Sequence, residues 1–175
     1  GASEKKIKGY NECFRDSVRI FPMSEKRLVP DFYHIILHIL ILTNMLSIKD
    51  TFTENFADVP ADSYYFNAIG SAKAAGIASG DGQNFMPKST ITRQDLITLA
   101  YRAFLAKGYI TETQDMTSLD IFVDKDSIST YAKTAMTSMV KAGIIKGSEN
   151  KVNPLGNATR AEVAVMCAKL LELIK

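Results

Sequence analysis

The chain repeats itself, and nothing else in it constrains the fold as much. With residues 56–110 set above 122–175, most of the alignment falls at an offset of 67. Tyr64 meets Tyr131, Ala68 meets Ala135, Ser71 meets Ser138 and Ala75 meets Ala142. Gly76-Ile77 meets Gly143-Ile144, Gly80 meets Gly147, Pro87 meets Pro154, and Thr92-Arg93 meets Thr159-Arg160 with Asp95 opposite Glu162. The opening Phe56-x-Asp58 matches Phe122-x-Asp124 at an offset of 66, so one residue has slipped in between. Glycine, proline, threonine and arginine held in one register mark a duplicated unit. A unit this small cannot bury its apolar face alone, so the copies must stack.

Each copy reads as helix, loop, helix, which predicts an all-α fold. The first helix has N-cap residues at Asp62-Ser63 in one copy and at Ser127 to Ser129 in the other. Tyr65, Phe66, Ile69, Ala72 and Ala75 keep helical spacing, as do Tyr131, Ala135, Met136, Met139 and Val140. Gly76 and Gly143 stand where a helix stops on a left-handed residue. The loops that follow carry the Gly, Asn and Pro of turns. The second helix starts on Thr92 or Thr159, with Asp95 or Glu162 three residues on, and Thr159-Arg160-Ala161-Glu162 spells a capping box.

An eroded third copy precedes these two. A shift of 63 lays Val29-Pro30 over Thr92-Arg93, and Tyr33, Ile36, Leu37 and Leu40 over Leu96, Leu99, Ala100 and Ala103. The chain divides accordingly into residues 1–55, 56–110 and 111–175, together one compact domain. Residues 32–48 are almost continuously apolar, but the run is short for a membrane span and is broken by His34, His38 and Asn44. It follows Val29-Pro30-Asp31, with proline at a first helical position. The prediction is a buried central helix and no membrane span.

Function classes can then be excluded. A net charge of +2 provides no basic field for gripping nucleic acid, and neither repeated helix carries a basic face. There is no Gly-x-Ser-x-Gly elbow and no Walker loop, so the chain does not read as an enzyme. His34 and His38 share a helix face at i,i+4, a spacing two metal ligands can use. The stretch between them lacks the glutamate of a metalloprotease helix, and the expectation is core histidines with no metal and no cofactor. Cys13 and Cys167 read as two buried thiols, with a bridge between them as the alternative. The Gly1-Ala2-Ser3 start reads as a processed or recombinant fragment, which leaves localisation unread.

Most repeated positions need only a structural explanation; Arg93 and Arg160 do not fit one. Each occupies the first position of a helix, where a cation is mildly disfavoured by the helix dipole. A guanidinium beside free backbone N–H groups makes an anion site suited to carboxylate or phosphate. The alternative is an arginine solvated or paired with Asp58 or Asp124.

The order Phe-x-Asp-Val, an aromatic six residues after the Asp, Gly-Ile-x-x-Gly, Gly-x-x-Phe-x-Pro and Ile-Thr-Arg-Gln-Asp resembles the S-layer homology module. Gly-Ile-Ile-Lys-Gly, Pro154 and Ala-Thr-Arg-Ala-Glu in the second copy are similar to it too. The resemblance implies three modules in a three-pronged pseudo-trimer around a central three-helix bundle. It also implies a secreted bacterial protein held non-covalently on the cell wall, or in an S-layer, through secondary cell-wall polysaccharide. The sugar, often pyruvylated, would lie in grooves between adjacent modules, with a cargo domain or S-layer protein attached. Arg93 and Arg160 would then meet its carboxylate, and Gly80, Gly82 and Gly147 would let the backbone approach the saccharide. Asp58 and Asp124 would bond sugar hydroxyls or position an arginine, and Tyr64 and Tyr131 would stack on a ring where the family usually has Trp. This chain has no Trp, the second loop has Ser148-Glu149-Asn150 in place of Asp-Gly, and the first copy lacks Thr-Arg. One groove is therefore expected to be inactive. A module that kept only its scaffold for protein contacts is the alternative.

Overall fold

The structure, a computed structural model, describes residues 35–174. Its helices are α1 (Ile35–Met45), α2 (Phe66–Ala74), α3 (Arg93–Ala106), α4 (Lys133–Lys141) and α5 (Arg160–Leu170). Short 3-10 turns at Met116–Leu119, Lys125–Ser127 and Thr130–Ala132 lead into α4. Among the described residues there is no strand, only the isolated bridges Thr92↔Asn157 and Ser148↔Lys151. The all-α expectation holds for these residues.

Pairing follows the repeat. The second helix of each unit packs on the first helix of the next, α1 on α2 and α3 on α4, while α1 and α3 also touch each other. One hydrophobic core runs through all five helices, with Ile39, Ile69, Phe104, Met136 and Leu170 among its fully buried side chains. Helix α1 is the buried helix that its apolar run predicts. Every residue from Ile36 to Thr43 is buried, and among the described residues no helix is long and apolar enough to cross a membrane. His38 is one of them. Its Nε2 lies 3.0 Å from the Leu96 carbonyl of α3, and burial lowers its pKa to about 3, so the ring is neutral. His34, Cys13 and Val29-Pro30 lie outside the described residues; Cys167 is buried.

Helix stops and second-helix starts match the sequence reading. Gly76 and Gly143 have φ of 71° and 73°. Thr92 accepts from the Asp95 N–H, and Thr159 with Glu162 forms the full capping box. First-helix starts differ from it. Helix α2 begins at Phe66, because Ser63 is spent on a turn, donating its N–H and hydroxyl to the Pro60 carbonyl (3.0 and 2.6 Å). Ser129 precedes a 3-10 turn and does not cap α4, its polar groups being taken by the neighbouring unit.

Candidate functional site

The start of α3 is where the units are fastened together. Arg93 is largely buried; its Nε donates to the Val152 carbonyl (2.7 Å) and its Nη1 pairs with Glu162 (2.5 Å), both in the following unit. Gln94 is 4% exposed, its amide donates to Ser129 Oγ (2.9 Å), and its carbonyl oxygen accepts the Ser129 N–H (3.0 Å). Asp95 accepts from the Tyr131 hydroxyl (2.5 Å). Local desolvation of the hydroxyl, with this carboxylate beside it, pushes the Tyr131 phenol up to about 12 although the ring itself is largely exposed. Backbone bonds run alongside, from Arg93 N to Gly156 O, Gln94 N to Pro154 O and Ala158 N to Ile91 O. Arg93, Gln94 and Asp95 therefore form an inter-unit clamp.

The two aspartates hold loops. Both oxygens of Asp58 accept backbone amides, Phe85 N at 2.8 Å and Met86 N at 2.7 Å. Asp124 accepts Val152 N at 3.0 Å and Asn153 N at 2.7 Å. Since the Val152 carbonyl takes Arg93, Asp124 positions that arginine at one remove. Gly80 (φ 52°) and Gly147 (φ 69°) are required by the loops themselves: a Cβ on Gly80 would strike the Asn84 carbonyl, and one on Gly147 would sit 2.5 Å from the Lys151 carbonyl. Gly82 is open to solvent. Tyr64 is half-buried, edge-on to Tyr65 at 4.9 Å, whereas Tyr131 is 55% exposed. Arg160 is exposed at the first turn of α5.

Two grooves open at corresponding places in the two units. The first, about 470 Å³, lies between the Ser79-Gly80 and Phe85–Ile91 segments, α3, and Ile35 of α1, with Tyr131 at its edge. The second, about 270 Å³, lies between Ile144–Gly147, α5, and Arg93, Leu96 and Ile97 of α3. The preceding unit's second helix contributes to each, through Ile35 in the first and through Arg93, Leu96 and Ile97 in the second. Gly80 and Gly147, Asp95 and Glu162, and Arg102 and Lys169 occupy matching positions. The two cations do the same local job: Arg102 donates to Ser79 Oγ (3.0 Å), and Lys169 donates to the Ile144 carbonyl (2.9 Å).

The S-layer homology domain pattern matches residues 55–97 and 121–164, one segment per repeat. The two repeats are S-layer homology domains. Such domains bind cell-wall polymers and anchor surface proteins to the cell wall. The chain is similar to an amylopullulanase of Thermoanaerobacterium thermosulfurigenes, 40% identical over 135 residues, 75% of this chain and 7% of that protein. It is 39% identical over 135 residues to the exoglucanase XynX of Acetivibrio thermocellus, covering 75% of this chain and 12% of that one. A surface-layer 125 kDa protein of Lysinibacillus sphaericus is 31% identical over 137 residues, with 75% and 11% covered. The chain spans about a tenth of the length of these relatives. Of the residues expected in the S-layer homology site, Gly80 and Tyr131 line the first groove, and Arg93 and Gly147 the second. Asp58, Asp124, Tyr64, Gly82 and Arg160 line neither. Arg102, Lys146 and Lys169 were missed by sequence reasoning. A signal existed: Arg102 and Lys169 stand at the same offset of 67, a cation recurring in the second half of each second helix.

Proposed function

We propose that the chain is a non-catalytic anchor that binds secondary cell-wall polysaccharide in the grooves between adjacent units, with an anionic, pyruvylated sugar as the preferred residue. The observation that carries this reading is the groove built twice, each time with a glycine-lined loop edge and a cation fixed on the second helix. Hydroxyl-rich ligands need several fixed polar groups beside apolar surface, and an acidic sugar adds the need for a cation. The relatives support it, since proteins named as two different enzymes and as a surface-layer protein share this stretch. What they hold in common is then the attachment, and cargo and surface location follow from it. Arg93 serves from the wall of the second groove, Arg160 would meet a carboxylate only on polymer that runs beyond the two grooves, and Asp58 and Asp124 act through the loops they hold. Residues 1–55, 56–110 and 111–175 are the three units, with α1, α3 and α5 as the central helices of a pseudo-trimer.

Co-sedimentation with purified cell walls tests the reading, before and after mild-acid removal of pyruvyl groups. Retention falls on their removal and in an Arg102→Gln/Lys169→Gln variant whose circular dichroism is unchanged. Undiminished retention in both arms overturns the site. The scaffold reading is favoured by one finding, the engagement of Arg93, Asp95 and Tyr131 with the protein itself. It predicts no wall retention together with self-association in light scattering.

A further inference from the structure

The repeat allows the two grooves to be compared position by position. At the pair 79 and 102, the first groove has Ser79 hydrogen-bonded to Arg102 at 3.0 Å. At the matching pair 146 and 169, the second groove has two lysines. Thr98 in the first groove is matched by Val165 in the second, and Ser89 and Thr90 have no hydroxyl-bearing counterpart among the second groove's lining residues. Charges diverge in the same way. Arg102 and Asp95 cancel in the first groove, whereas in the second Glu162 is taken up by Arg93, leaving Lys146 and Lys169 unbalanced within the groove.

We infer that the two grooves take different parts of the same polymer: the second, whose cations are not cancelled, takes the anionic sugar, and the first, where Asp95 offsets Arg102, takes an uncharged, hydroxyl-bearing neighbour. This rests on the anchoring reading above. A serine–arginine pair satisfies itself and offers spare hydroxyl and guanidinium groups for neutral hydrogen bonds. A lysine–lysine pair cannot satisfy itself. Burial and the Lys146 charge both act to lower the Lys169 pKa, opposed by Glu172, and a carboxylate or phosphate seated between the lysines would relieve that repulsion. Lys169 remains held by the Ile144 carbonyl, so its ammonium is positioned before any ligand arrives. A chain bound in both grooves gains avidity, while its salt sensitivity comes from the second alone.

The test uses two exchanges, Lys146→Ser and Ser79→Lys, each importing the other groove's residue at an exposed loop position. Affinity for purified wall polysaccharide is measured by calorimetry at low and high salt. The polymer is used native, carboxyl-reduced, or freed of phosphate with hydrofluoric acid. Lys146→Ser weakens native polymer by about fivefold at low salt and flattens the salt dependence, as expected for one exposed ion pair. Ser79→Lys steepens the salt dependence. Carboxyl reduction or dephosphorylation, whichever erases the difference between wild type and Lys146→Ser, names the anion. Equal salt dependence in wild type and both variants overturns the proposal. Titration of ¹⁵N-labelled protein with pyruvate and with inorganic phosphate separates the two readings. If no polymer binds but the Gly147 amide shifts more than Gly80, anchoring fails and the charge division stands. If polymer binds and the two amides respond alike, anchoring stands and the division fails.

Discussion

Removing Gln94 should loosen the joint between the two S-layer homology domains more than any surface change of its size. The side chain is 4% exposed, and its amide makes two bonds to Ser129, at 2.9 and 3.0 Å. Gln94→Ala removes both and leaves the Ser129 N–H and hydroxyl facing a gap. Ser129 is half-buried, so water recovers part of the loss and about 1–2 kcal/mol remains. Deleting the buried stem adds roughly 1 kcal/mol for lost packing. The total is about 2–3 kcal/mol, a large share of the roughly 5–15 kcal/mol of a typical domain. In urea this moves the midpoint down by about 1 M, given slopes of about 1–3 kcal/mol per molar. Ser129→Ala breaks only the hydroxyl bond and should cost less, because its N–H still reaches the Gln94 oxygen. A double-mutant cycle should return a coupling of about 1 kcal/mol or more. A Gln94→Ala loss below about 0.5 kcal/mol, within the range of ordinary surface changes, would refute the clamp.

Two further outcomes are expected. With a folded pKa near 3 against 6.5 in the open chain, His38 takes up its proton only on unfolding, so stability is complete above pH 6.5 and declines as pH falls. From pH 6.5 to 4.5 the loss is roughly 2–3 kcal/mol at about 1.4 kcal/mol per unit; denaturant melts of His38→Gln across this window should be flatter than wild type, and identical slopes would count against the assignment. Gly80→Ala should lower Tm well beyond Gly82→Ala: both have positive φ, at a strain of about 1–2 kcal/mol, but only Gly80 has its Asn84 carbonyl in the way of a Cβ. Equal shifts in Tm would show that the loop yields.

What could be read from the sequence was the local chemistry. Thr159 and Glu162 cap each other across three residues, Gly76 and Gly143 end their helices, and the apolar run of α1 is buried as its pattern requires. The aspartates were harder, because their partners lie far along the chain. Asp58 meets amides 27 and 28 residues on, and nothing near it in sequence announces that. Arg93 stood out at a helix start because capping does not require a cation there, but the structural partner that accounts for it, Glu162 at 2.5 Å, sits in the other repeat. Ser129 looked like a cap because serine caps helices in isolation, and Gln94 claims it in the folded chain. Pairwise competition of this kind is a property of the assembled units and is invisible in either copy alone.

The clamp also bears on how such repeats can be rearranged. Arg93, Gln94 and Asp95 engage a serine, a tyrosine and a glutamate presented by the following unit, so the sequence boundary between repeats is not the boundary that structure respects. At the matching place α5 carries Arg160, Ala161 and Glu162, with alanine where the glutamine should be. Exchanging the order of the two copies would therefore leave a keyed end facing nothing that fits it. The two units share one pattern, yet their joints make them non-interchangeable; a shuffled or transplanted copy would have to travel with its successor.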